Sequence, residues 1–117
     1  MNNKELKEQY KQIVFPMGIF QIRNIVNGKI YVESSVNLDK IWNRHYSQLR
    51  LSGHPNELLQ KEWNEYGEEN FKFEIISELK VSDDDTFDPK KELKTLEKMF
   101  FEELKPYGEK GYHSTPK

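Results

Sequence analysis

Glu97 stands among hydrophobic neighbours. On a helical wheel it falls between Leu93, Phe100, Phe101 and Leu104, whereas Glu92, Glu102 and Glu103 can face water. A carboxylate in that position is costly unless it is paired, protonated or bound to a cation. It is therefore either a salt-bridged residue at the edge of the stripe or a metal ligand at the floor of a cleft. Tyr31 lies mid-strand, where aromatics commonly serve packing. His45 falls on the inner stripe of a helix, as a hydrogen-bonded core residue or a ligand. Lys40, Arg44, His45 and Arg50 form a modest basic run on that helix, a solvated face or a local phosphate contact. His54 flanks a helix start. No GxGxxG, phosphate-binding loop, HExxH or nucleophile elbow occurs.

The elements that must position these groups follow from periodicity and turn chemistry. Residues 17–33, MGIFQIRNIVNGKIYVE, read as two strands joined at Asn27-Gly28, a dipeptide suited to a type I′ turn. A two-residue loop there sets Asn24 opposite Tyr31, so Phe20, Ile22 and Asn24 share a face with Tyr31 and Glu33. Residues 38–52 form a helix capped by Asn37 and ended by Gly53, with Leu38, Ile41, Trp42, His45 and Leu49 inward. A second helix runs from Pro55 to Tyr66 and stops at Gly67, with Leu58, Leu59, Glu62, Trp63 and Tyr66 inward. Phe71, Phe73 and Ile75 alternate with Lys72 and Glu74 in a third strand. After an acidic loop over 82–88, Asp88-Pro89 opens a third helix that breaks between Pro106 and Gly111. The fold class expected is α+β: a small three-stranded antiparallel sheet flanked by helices. Residues 1–16 are an N-terminal helical extension with a polar helix over 2–12, 17–113 the domain, and 114–117 a tail.

Composition narrows the function classes. With 117 residues the chain fits one domain and one core, built on seven Phe, six Tyr and two Trp. There is no cysteine, so neither a disulfide framework nor a thiolate metal site is available. No apolar run approaches the roughly 20 residues of a membrane span. The polar start, MNNKELKEQYKQ, lacks the apolar stretch of a signal peptide, so the expected location is cytoplasmic. A formal net charge of −2 provides no global surplus of cations, so any nucleic-acid contact must come from a local patch.

Taken in order, these pieces resemble the GIY-YIG endonuclease family, in its phage-like branch. Gly18-Ile19-Phe20 matches its first half-motif and Tyr31-Val32-Glu33 its second. WNRHYSQL, Gly53-His54, LLQKEWNEYGEENFKFEII and a terminal Gly111-Tyr112-His113 follow, so the similarity spans about residues 17–113. The resemblance implies a small three-stranded antiparallel sheet flanked by helices, phosphodiester hydrolysis in DNA, and a divalent cation (Mg²⁺ or Mn²⁺) on Glu97. It implies that Tyr31 assists attack by water, and that Arg44 and His45 match an Arg-His pair of that branch. A cation neutralises developing charge, a base takes the attacking proton and a guanidinium clamps phosphate oxygens.

The chain departs from the family pattern at four places. Phe20 replaces a tyrosine, Glu33 a glycine and His113 an asparagine, and the position of the family arginine, just before Trp42, is Ile41. Losing one preorganised charge-stabilising group costs about a hundredfold to a thousandfold in rate. The expectation is a domain degenerate in catalysis that binds nucleic acid or a protein partner. The alternative is a working Mg²⁺-dependent endonuclease in which Arg44 replaces the missing arginine. Lys40, Arg50, His54 and His113 complete the expected substrate-binding set.

Overall fold

In the computed structural model, the structure describes residues 16–80 and 86–114. The expected N-terminal helix over 2–12, the core of the acidic loop and the last three residues lie outside them. Strands β1 (Met17–Asn24), β2 (Ile30–Ser35) and β3 (Phe71–Leu79) form an antiparallel sheet in the order β2-β1-β3. Helices α1 (Leu38–Arg50), α2 (Glu57–Tyr66) and α3 (Pro89–Leu104) flank it. The α+β class is as the sequence predicts.

Strand β1 is central because both of its faces are apolar, with Met17, Ile19, Phe20 and Ile22 all buried. Phe20 and Ile22 join Leu38 and Leu49 of α1, Leu59 and Trp63 of α2, Phe71 and Tyr112 in one core cluster. Helix α3 packs against β2 and β1. The backbone of Gly18 lies against β3 so closely that an added Cβ would meet Ser77 O at 1.9 Å.

The hairpin differs from expectation. Tyr31 pairs with Ile22 and Glu33 with Phe20, two residues away from the predicted register. A two-residue type I′ turn is not formed. The loop is longer: Asn24 N–H donates to Lys29 O, Gly28 N–H donates to Asn24 O, and only Gly28 takes a positive φ, 79°. A shift of two preserves side-chain parity, so Tyr31 and Glu33 still share the Phe20–Ile22 face. Asn24 is drawn instead into a buried cluster, donating to Glu62 Oε1 at 3.2 Å.

The helix starts follow cap chemistry. Asn37 accepts from Lys40 N–H, Asn56 from Leu59 N–H, and Asp88 from Lys90 and Lys91 N–H. Helix α2 therefore begins at Glu57 rather than Pro55, because Asn56 takes the cap. Leu58 turns outward, 38% exposed, while the polar Gln60 goes in, bonding Leu49 O and His54 N–H. Strand β3 runs on to Leu79, with Ile75 half-exposed beside a register shift. Among the described residues no helix is long and apolar enough to cross a membrane.

Gly18→Ala is expected to destabilise the domain by about 2 kcal/mol or more, since the new methyl must separate β1 from β3 backbone. Urea unfolding of the two proteins checks this.

Candidate functional site

Strand β2 supplies the frame. Its side chains Tyr31 and Glu33 project towards α1, and its outer edge offers backbone groups to the rest of the chain. Tyr112 N–H donates to Ile30 O at 3.0 Å, Val32 N–H donates to His113 Nε2 at 2.9 Å, and Ser34 N–H donates to Glu97 Oε2 at 2.9 Å. Residues distant in sequence are thus brought to successive points along one strand.

Four side chains then join in a single hydrogen-bonded series. Asn56 N–H donates to His54 Nδ1 at 3.0 Å, which leaves the proton of a neutral His54 on Nε2. That nitrogen lies 2.8 Å from His45 Nδ1, and His45 Nε2 lies 2.8 Å from Glu33 Oε2. The same carboxylate oxygen accepts from the Tyr31 hydroxyl at 3.1 Å. One order of protons satisfies every link: His54 Nε2–H donates to His45 Nδ1, and His45 Nε2–H donates to the Glu33 carboxylate. The rings hold one another in place. Tyr31 stacks on His113 at 4.8 Å and meets His45 and His54 edge-on at 5.4 and 5.5 Å, while Phe20 packs against His45 at 5.5 Å.

The electrostatics follow from this arrangement. Burial, the charge and hydrogen bond of Glu33, and the charge of Glu97 all raise the Tyr31 phenol well above its ordinary value, opposed by Arg44. Burial favours the neutral form of Glu33, but the hydrogen bond and charge of His45, the Tyr31 hydroxyl and Arg44 outweigh it and hold the carboxyl below its usual value. His54 is lowered from 6.5 to about 4 by burial and by the charge of His45. Burial also lowers His113.

Glu97, half-buried, leans on the β2 edge through Oε2; among the described residues Oε1 has no hydrogen-bond partner. It borders a hollow of about 380 Å³ lined also by Ser34, Ser35, Lys90 and Lys94. A neighbouring hollow of about 530 Å³, reached across Ser35 and Val36, is lined by Lys40, Ile41 and Arg44. Among the described residues no three His, Cys, Asp or Glu side chains group to hold a metal alone. A single open carboxylate beside a solvent-open hollow nonetheless fits Mg²⁺, which keeps several waters and binds through one or two carboxylates plus phosphate oxygens.

The structure thus gathers Tyr31, His45, His54 and His113 around Glu33, with the charges of Arg44 and Glu97 acting on Tyr31. Lys40 and Arg44 line one hollow. Arg50 stands elsewhere: it lies over the Tyr46 ring at 4.0 Å and pairs with Glu68 at 3.2 Å, an exposed pair away from the cleft. Sequence reasoning missed Lys90 and Lys94, whose position on the first turns of α3 reads as ordinary solvated charge. It also treated Glu33 as an intruder, where the structure makes it the point on which the series converges.

No protein-family model matches the chain. Intron-associated endonuclease 1 of Enterobacteria phage T4 is 36% identical over 67 residues, 57% of this chain. The chain spans only 27% of that relative's length. The catalytic domain of the homing endonuclease I-TevI superimposes with a TM-score of 0.71 at 29% identity, covering 86% of this chain and 99% of that one. A glutamate-to-alanine mutant of the catalytic domain of intron endonuclease I-TevI gives 0.70 at 28%, covering 85% and 93%. The chain has a GIY-YIG endonuclease-like fold. In this GIY-YIG-like fold Tyr31 lies on β2 and Glu97 accepts from Ser34 N–H three residues further along the same strand, while Ile41 presents a hydrocarbon where the pattern the sequence resembles has arginine.

His54 gives this domain a pH signature. The unfolded chain takes up its proton near 6.5 and the folded one only near 4, so stability is lost as pH falls through that window. Between pH 7 and pH 5 the unfolding free energy is expected to drop by about 2 kcal/mol from this group. Denaturant melts at the two pH values check it, with His54→Asn expected to flatten the dependence.

Proposed function

We propose that this domain binds DNA and is degenerate in phosphodiester cleavage. The observation that carries this reading is the donation of the Tyr31 hydroxyl into Glu33 Oε2, which occupies the group expected to assist water. With its phenol raised by burial and by two neighbouring carboxylates, Tyr31 stays protonated and is a poor proton acceptor at neutral pH. Ile41, at the rim of the adjoining hollow, adds no charge to stabilise a phosphorane-like transition state. Binding is supported by a basic rim: Lys40 and Arg44 on α1 line one hollow, Lys90 and Lys94 on α3 line the other, and the two hollows share Ser35 and Val36. Four local cations suffice for a modest phosphate contact even though the chain is net acidic. The names of the similar endonucleases accord with a nucleic-acid partner. Mg²⁺ or Mn²⁺ on Glu97 would supply a positive charge against phosphate oxygens. Glu97 would orient it through the carboxylate oxygen left free by Ser34, and Lys90 and Lys94 would steer the anion.

A second reading has its own support. The positive charge of Arg44 reaches both Tyr31 and Glu33, so Arg44 is a stand-in for the missing guanidinium in a working Mg²⁺-dependent endonuclease.

Two measurements separate the readings. Wild-type protein is expected to bind short duplex DNA with log affinity falling by about 3 to 4 per log unit of salt. It is expected to nick poorly, whereas Ile41→Arg combined with Glu33→Gly gains about a hundredfold with Mg²⁺ or Mn²⁺ and loses it again on Glu97→Ala. Wild-type nicking as fast as the double variant, abolished by Arg44→Ala and by Glu97→Ala, would establish the second reading instead. Salt-insensitive association would point to a protein partner.

A further inference from the structure

Two donors converge on one oxygen inside the cleft. Glu33 Oε2 receives the Tyr31 hydroxyl at 3.1 Å and lies 2.8 Å from His45 Nε2, and the charge of Arg44 acts on the same carboxylate. A hydroxyl and an imidazole N–H on one anionic oxygen, with a guanidinium charge acting on it, form the kind of set that receives a phosphate oxygen. The donors are preorganised independently of Glu33. Tyr31 is clamped by stacking on His113, and His45 is aligned by His54, which is itself fixed by Asn56 N–H. The acceptor, by contrast, belongs to a two-methylene side chain on an edge strand and is about one-third exposed.

We propose that Glu33 is an internal phosphate mimic: its carboxylate fills an anion subsite formed by Tyr31 and His45, within reach of the positive charge of Arg44, and so keeps phosphate out. This deepens the function proposed above and rests on it for its biological meaning. The consequence is a cleft in which the basic rim of Lys40, Lys90 and Lys94 can hold a nucleic-acid backbone while the inner subsite stays blocked. Removing the carboxylate frees two donors and deletes one like charge, so the vacated subsite takes a phosphate monoanion or dianion. Glu97 also faces Tyr31, but its charge acts equally in the wild type and in a Glu33 variant and cancels in the comparison.

The test is a titration of the metal-free protein with inorganic phosphate, followed by NMR. Glu33→Ala is expected to bind phosphate at least about tenfold tighter than wild type, the effect of removing a contacting like charge. The largest shifts should fall at Tyr31, Arg44 and the His45 ring. Adding Tyr31→Phe, which keeps the ring and removes only the donor, should cut the gain by about fivefold. Glu33→Gln, equal in volume, serves if the alanine variant is unfolded, and should also bind more tightly than wild type. No gain in the folded variant tested, or a gain that maps to Lys90 and Lys94 and ignores Tyr31→Phe, overturns the proposal. Wild-type DNA binding is measured alongside. Its failure would sink the proposed function while leaving the phosphate titration a valid reading of Glu33.

Discussion

The outer edge of β2 is the constraint on which the site depends. An edge strand leaves alternate N–H and C=O groups unpaired, and such groups must find partners or invite another strand. Here the edge is served by the chain itself. Ile30 O takes Tyr112 N–H, Val32 N–H goes to the His113 ring, and Ser34 N–H goes to Glu97. Satisfying the backbone and assembling the site are therefore one event. Glu97 and His113 are fixed relative to Tyr31 because all three are indexed to one strand. The fixed spacing along β2 then sets their separation.

The two carboxylates nearest Tyr31 end in different situations for simple reasons of topology. Glu33 belongs to β2 and points over the sheet, so it meets His45 of α1 and is closed into the aromatic stack. Glu97 comes from α3 and reaches the strand edge, so one oxygen is anchored and the side chain borders an open hollow. The same charge is thus sequestered in one place and presented in the other. The cations follow the second pattern. Lys40, Arg44, Lys90 and Lys94 gather around the two hollows that meet at Ser35 and Val36, while Arg50 leaves the group because Tyr46 and Glu68 offer it a ring face and a carboxylate nearby.

Much of this was legible in the sequence, and the exceptions have identifiable causes. The stripes of α1 and α3 specify which helix faces turn inward, and the Asn37 and Asp88 caps mark helix starts. The place of Glu97 within an apolar stripe flagged a carboxylate with a special partner, although nothing in the pattern named the Ser34 amide. The hairpin register differs from expectation by two residues, because Asn27-Gly28 suggests the tightest turn while Glu62, itself held by the Tyr112 hydroxyl, draws in Asn24 and Asn27. The faces survived that error because parity did. The Asn56 cap displaced Pro55, and Gln60 took an inward place because it has two backbone groups to satisfy. Tertiary partners of this kind leave no periodic trace. The series from His54 to Glu33 was hidden for the same reason: its members lie on a loop, a helix and a strand.

The departures at 33 and 41 act in one direction. Relative to the family pattern the chain resembles, a neutral glycine becomes an anion and a cation becomes a hydrocarbon, so the formal charge around the inner cleft falls by two. Fold stability tolerates both changes. Glu33 finds His45 and Tyr31, and Ile41 packs against the core cluster. The potential at the position of a phosphate is altered far more, since a contacting charge acts at short range in a partly desolvated site. The rim cations, farther out and wetter, are untouched by either substitution. A fold can in this way lose the inner part of an anion site while keeping the outer part, because the two draw their charges from different elements: the inner from β2 and the middle of α1, the outer from the first turns of α1 and α3.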